Sequence, residues 1–138
     1  MALELNHIIV HVKDRHESAE FLAGLLGADA PVDWAHFTQL TSSNGVGVDF
    51  ADHMVAPEDI NLSHLAYLVT EEEFDAIFSR VEQRGVRFWA DPAMKAEGQI
   101  NLAYGGRSIY LLDPGGTCAI EFMTKPYAEV PESRPTPA

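Results

Sequence analysis

Residues 5–12, LNHIIVHV, alternate in a way that suits a β-strand, with Leu5, His7, Ile9 and His11 on one face and Asn6, Ile8, Val10 and Val12 on the other. The same pattern returns at residues 62–69, LSHLAYLV, where His64 lies over His7 at an offset of 57 residues. Each strand is followed by a segment of helical period. Phe74, Ile77, Phe78 and Val81 fall at i, i+3, i+4 and i+7 and form one apolar stripe. Asp14 with Glu17, and Thr70 with Glu73, have the spacing of a capping box at the helix starts. Gly27 and Gly85 stand where the helices should stop, at positions that favour a left-handed backbone.

The second halves of the two segments also align, now at an offset of 72 residues. HFTQLTSSNGVGVDF at 36–50 lies over SIYLLDPGGTCAIEF at 108–122, and both read as strand, Gly-containing turn, strand. In this register Thr38 meets Tyr110 and Asp49 meets Glu121. The larger offset means that the second copy carries an insertion near DPAMKAEGQINLAYGG, 91–106. The chain therefore divides into a first βαβββ module at 1–52, a linker at 53–63, a second βαβββ module at 64–123 and a Pro-rich tail at 124–138.

Composition narrows the partners. Nine Lys and Arg against 21 Asp and Glu give a formal charge of −12, which repels phosphate backbones and anionic lipid, so no nucleic acid and no membrane is expected. No apolar run approaches the ~20 residues of a spanning helix, and the start MALELNH lacks a basic-then-apolar signal. A single cysteine cannot form an internal disulfide, and a cytoplasmic chain is expected.

The duplication puts one histidine in the first strand of each module and one carboxylate in the last: His7 with Asp49, then His64 with Glu121. Two carboxylates desolvated among apolar strands each cost several kcal/mol without a cation or good hydrogen bonds. A divalent metal offsets that cost, and two imidazoles with one or two carboxylates suit Fe(II), Mn(II), Zn(II) or Ni(II). A buried polar network without metal is the alternative. Cys118 has the parity of Ile120 and Phe122, opposite Glu121, and should pack under a helix. His16 and His53 should be solvated, His36 could reach a pocket rim, and His11 lies about 13 Å along the strand from His7. His11 is too far to share that metal but could line the cavity end as a proton carrier.

LNHIIVHVKD, LSHLAYLV with its helix, and GGRSIYLLDPGGTCAIEF, in that order in a duplicated chain, resemble the vicinal oxygen chelate superfamily. That superfamily includes glyoxalase I, extradiol dioxygenases, fosfomycin-resistance transferases and bleomycin-binding proteins. The resemblance covers about residues 4 to 123. It implies an α+β fold of two βαβββ modules whose mixed sheet curls around a metal site, and a homodimer, sometimes with swapped modules. It also implies His7, His64 and Glu121 as ligands, with Asp49 either a fourth ligand or bridged through water. Tyr110 would be oriented to the substrate oxygens, with Ser108 on its face. Ile9 stands where the fosfomycin enzymes carry a hydroxyl residue. Lys95, in the insertion, could meet an anionic substrate from a mobile lid over 91–104. The donor set favours Fe(II), with Mn, Ni or Zn possible, and an extradiol-type dioxygenase acting on a small oxygen-chelating molecule. A glyoxalase-like lyase or isomerase, a fosfomycin-type transferase and a metal-free small-molecule binder remain open.

Overall fold

The computed structural model describes residues 3–126. Among the described residues two mixed sheets and two α-helices form the expected α+β arrangement, with the sheets separate and uncurled where one sheet curled around the site is expected. The first sheet takes β1 (His7–His11), β2 (Val32–Trp34), β3 (Phe37–Thr41) and β4 (Gly47–Ala51) in the order β1-β4-β3-β2. Its helix is α1 (Arg15–Leu26). The second sheet takes β5 (Ser63–Leu68), β6 (Ser108–Leu112) and β7 (Cys118–Met123) in the order β5-β7-β6, with α2 (Glu71–Gln83) as its helix. β1 runs parallel to β4, and β5 parallel to β7. Most of the expected Pro-rich tail, residues 127–138, lies outside the described residues.

The local signals work as their chemistry requires. The Asp14 carboxylate accepts from the Glu17 N–H at 3.0 Å, and the Thr70 hydroxyl accepts from the Glu73 N–H at 3.1 Å while donating to the Glu73 carboxylate at 3.0 Å. Gly27 closes α1 at φ 67°, a conformation that side chains with a Cβ rarely adopt. The apolar stripe of α2 buries Phe74, Ile77 and Val81. One cluster runs through both halves of the chain: Val10, Val48, Phe50, Leu22 and Leu25 join Phe74, Ile109, Ile120 and Phe122. The alternation leaves His64, Ala66 and Leu68 of β5 exposed while Leu65 and Tyr67 pack on that cluster.

Side-chain hydrogen bonds tie the halves together, among them a long one from the Ser42 hydroxyl to the Tyr67 hydroxyl at 3.5 Å. Ser18 of α1 donates to Asp113, in the turn between β6 and β7, at 2.5 Å, and both residues are buried. Arg80 of α2 donates to the Leu25 carbonyl at 2.8 Å, satisfying one of the last carbonyls of α1.

Three further expectations change. After α2 the second half carries two strands, not three. Residue 89 pairs in isolation, Trp89 exchanging both backbone hydrogen bonds with Tyr110 at 2.8 Å. Its neighbours turn away: the Phe88 carbonyl accepts from Gly98 and the Ala90 N–H donates to Ala96, so this stretch bonds to its own loop. Second, Gln39 rather than Thr38 is the counterpart of Tyr110, since Gln39 opposes Asp49 and Tyr110 opposes Glu121. The first hairpin closes with one residue fewer between its last paired residues, Thr41 with Gly47, than the second, Leu112 with Ala119. A one-residue change flips the side chain to the other face. Thr38 therefore points into the core, 2 % exposed, and donates to Asp33 at 2.7 Å. Third, the 91–104 segment is pinned by hydrogen bonds. The Asp91 carboxylate accepts from the Lys95 and Ala96 N–H groups, and Asn101 exchanges backbone bonds with Ser108. The Ala96 N–H, with that of Lys95, holds the Asp91 carboxyl below its ordinary value. A tethered loop stands where the composition suggests a mobile lid.

Candidate functional site

Residues directly opposite on paired strands share a face, so register fixes which side chains meet. On the second sheet, β7 places Glu121 across from Ala66 of β5 and Tyr110 of β6, with His64 two residue pairs further along and so on the same face. The His64 Nε2 lies 3.1 Å from the Glu121 carboxylate, and the His64 and Tyr110 ring centroids are 5.9 Å apart. Glu121 is 2 % exposed and Tyr110 is buried, while His64 opens to solvent. Ser108 is buried on the same face. Trp89 lies beside Tyr110 through its backbone pair, on the side of β6 away from β7.

The first sheet repeats this face with different groups. His7, Ile9 and His11 of β1 stand across from Gly47, Asp49 and Ala51 of β4. Asp49 is 1 % exposed and accepts a hydrogen bond from the Gln39 Nε2 at 2.6 Å. His7 is exposed and its Nδ1 is 2.7 Å from the Asn6 side-chain oxygen. His11 is half-buried, and its Nδ1 has no hydrogen-bond partner among the described residues. At that end of the sheet an aromatic group gathers, with His53 5.3 Å from both His36 and Phe37. His16, expected in solvent, pairs with Asp33 at 2.9 Å. A cavity of about 560 Å³ between the end of α1, β3 and β5 is bordered by Gln39, Thr41 and Leu68 and lies away from Glu121.

The structure thus brings together His64, Glu121, Tyr110 and Ser108, and separately His7, Ile9, His11 and Asp49. The two sets lie on different sheets. Among the described residues no three His, Cys, Asp or Glu side chains are placed to hold a metal ion. Lys95 is exposed in its loop. Cys118 is fully buried in the core, and burial pushes its thiol up to about 11, which suits packing and not nucleophilic chemistry. Gln39 is the site residue that sequence reasoning missed. Its signal was available only once the hairpin register was known.

The donor chemistry of the second sheet fits a divalent ion. Two donors each about 2.1 Å from one ion and at right angles to it stand about 3.0 Å apart, close to the observed separation of His64 and Glu121. A buried carboxylate beside an exposed imidazole, with a tyrosine adjoining, would supply two of the donors to such an ion.

Both halves of the chain thus present a His from their first strand and a carboxylate from their last. Residues 4–123 match the Glyoxalase/Bleomycin resistance protein/Dioxygenase superfamily, and the chain belongs to it. Among curated proteins it is similar to glutathione transferase FosA of Serratia marcescens, 33% identical over 119 residues, covering 84% of this chain and 77% of that protein. Among solved structures it is similar to oxidase ChaP-H1, with 43% identity and a TM-score of 0.85, covering 92% of this chain and 99% of that one. Oxidase ChaP-H2 is similar at 40% identity and a TM-score of 0.85, covering 93% of this chain and 98% of the other. No helix among the described residues is long and apolar enough to cross a membrane.

Proposed function

We propose that this protein is a metal-dependent oxidase of the extradiol dioxygenase type, acting on a small oxygen-chelating substrate at a site shared between two copies of the chain. His64 and Glu121 of one copy, with His7 of the other, would hold the ion. The observation that carries the reading is the His64–Glu121 pair at 3.1 Å, with Tyr110 beside it and the third donor on the other sheet. The faces that would meet are apolar and open: Ile9 is 41% exposed, and Leu68 of β5 is 63% exposed. β1 and β5 are also edge strands of their sheets, which a partner would cover.

A His, His, Glu set suits Fe(II) and leaves positions open for a substrate, and when bound such an ion stabilises negative charge on substrate oxygens. The chain's own groups do the rest. Tyr110, across from Glu121, would turn its hydroxyl to the substrate oxygens, Ser108 would add a hydroxyl on the same face, and Ile9 would supply an apolar wall. His11, whose Nδ1 has no hydrogen-bond partner among the described residues, would carry a proton. Lys95 would meet an anionic substituent from the 91–104 loop.

Similarity to the ChaP oxidases supports oxygen chemistry. Similarity to FosA supports a transferase as the second reading. Against the transferase, Ile9 occupies the position of the expected hydroxyl residue, and EFMTKPY lacks the arginine expected after the last ligand. The test uses two variants, His7→Ala and Glu121→Gln, each expected to lose metal. Mixed and refolded together they should regain about a quarter of wild-type metal, because half the dimers are mixed and each mixed dimer rebuilds one of its two sites. A mixture that regains none, from variants that each lose metal, refutes the shared site. Oxygen uptake on a catechol panel by Fe(II)-loaded protein, against glutathione consumption, decides the chemistry.

A further inference from the structure

The two halves of the chain treat their buried carboxylates differently. In the second half the Glu121 carboxylate meets an imidazole, His64, at 3.1 Å. In the first half the Asp49 carboxylate meets an amide, Gln39, at 2.6 Å. Glycine marks the difference. The residue paired with His64 is Ala119, but the residue paired with His7 is Gly47. A Cβ built on Gly47 would lie 2.8 Å from the Gln39 Nε2 and 3.2 Å from the His7 Cβ. The backbone of Gly47 has no left-handed φ to demand glycine. What residue 47 supplies is room. The Gln39 amide lies over it and reaches Asp49, in a space that a Cβ would crowd.

We propose that Gln39 is a positioning residue that holds Asp49 away from the metal and so sets the number of protein ligands at three. The proposal deepens the metal-centre reading above and rests on it. Asp49 is 99% enclosed by its 1% exposure, and among the described residues the Gln39 amide is its side-chain donor. A carboxylate so enclosed needs a donor or a cation. Given the amide, it stays in the row of β3 and β4. Deprived of it, the same carboxylate would have as its remaining partner the dication that the neighbouring His7 would hold. Three protein ligands leave three positions of an octahedron for a bidentate substrate and one further small molecule, whereas four leave only two. Gln39 thereby selects between two kinds of chemistry that this fold supports.

The experiment reads Co(II) affinity by chelator competition, and coordination number from the visible absorption of the Co(II) protein. The variants are Gln39→Met, which keeps length and removes the donor, Asp49→Asn, the double variant, and His7→Ala. Gln39→Met should tighten Co(II) binding about 10-fold or more and change the absorption. Asp49→Asn alone should leave both within about twofold, and the double variant should return to wild-type values. The sign separates this role from ordinary support, because losing a supporting partner weakens metal binding by about 10–100-fold. Weaker or unchanged binding in Gln39→Met overturns the proposal, as does a loss of affinity in Asp49→Asn alone. Should Gln39→Met fold poorly, Gly47→Ala displaces the same amide by the clash above and should give the same tightening. Unchanged binding in His7→Ala would refute the three-ligand centre. Tightening by Gln39→Met that Asp49→Asn reverses would still uphold the role of Gln39.

Discussion

Replacing Ser18 by Ala tests how the two halves of this chain are held together. Ser18 is 1% exposed and donates to the Asp113 carboxylate at 2.5 Å. Asp113 is 3% exposed and also accepts from the Thr117 and Cys118 N–H groups at 2.8 and 2.9 Å. The substitution removes one of three donors to a buried carboxylate and leaves the other two in place. A hydrogen bond to a charged group contributes about 1.5–3 kcal/mol, and no cavity of consequence forms when a single oxygen is lost. Ser18→Ala should therefore lower stability by about 2 kcal/mol, with Tm falling by about 5–8 °C for a domain of this length. Asp113→Ala should cost more, because it also strands two buried backbone N–H groups at about 1–3 kcal/mol each. Asp113→Asn should fall between wild type and Asp113→Ala, since the amide oxygen still accepts from the turn and the Ser18 hydroxyl can rotate to accept from the amide. Urea unfolding followed by circular dichroism gives these values, at one protein concentration so that any dimer equilibrium is common to all samples. A Ser18→Ala loss below about 0.5 kcal/mol would refute the claim that this contact anchors α1 to the second sheet.

Three further outcomes follow from the site and its surroundings. Tyr110→Phe should lower kcat by about 10–1000-fold, the range of a lost electrostatic donor, with metal content unchanged by elemental analysis; unaltered turnover discards the tyrosine. Cys118 should react with an aromatic disulfide reagent at pH 8 only on unfolding, since it is fully buried and its thiol is raised to about 11; rapid labelling of the native protein would contradict this. The Asp33 carboxyl is lowered first by the Thr38 hydroxyl and then by His16, so its contribution is full above the unfolded aspartate value of about 3.9 and is lost as pH falls through the lower folded value. The urea midpoints of wild type and Asp33→Asn should therefore differ at about pH 5.5 and converge at about pH 2.5, and a difference that grows on acidification would reverse that assignment.

Much of this molecule is written locally. Alternation in LNHIIVHV and LSHLAYLV places His7 and His64 on the faces turned away from the core, because side chains on a strand alternate whatever the strand pairs with. The caps at Asp14 and Thr70 and the stop at Gly27 involve groups within one turn of each other, so a short stretch of sequence contains the whole interaction. Parity likewise separates Cys118, in the core, from Glu121, on the face shared with Tyr110 and His64. The repeat itself, and with it the family, is carried by these local patterns. Other features belong to distant partners. Whether Thr38 or Gln39 faces Asp49 turns on one residue in a hairpin loop, and a shift of one exchanges the two faces of a strand. The stretch near Trp89 has strand-like residues, yet Trp89 alone pairs with β6 while Phe88 and Ala90 bond to the loop that follows, a choice decided when β6 packs beside it. The pairing of His64 with Glu121 is set by the parallel register of β5 and β7, elements separated by a helix and a long loop. The separation of both from His7 is a fact about two sheets, and no spacing along the chain encodes it.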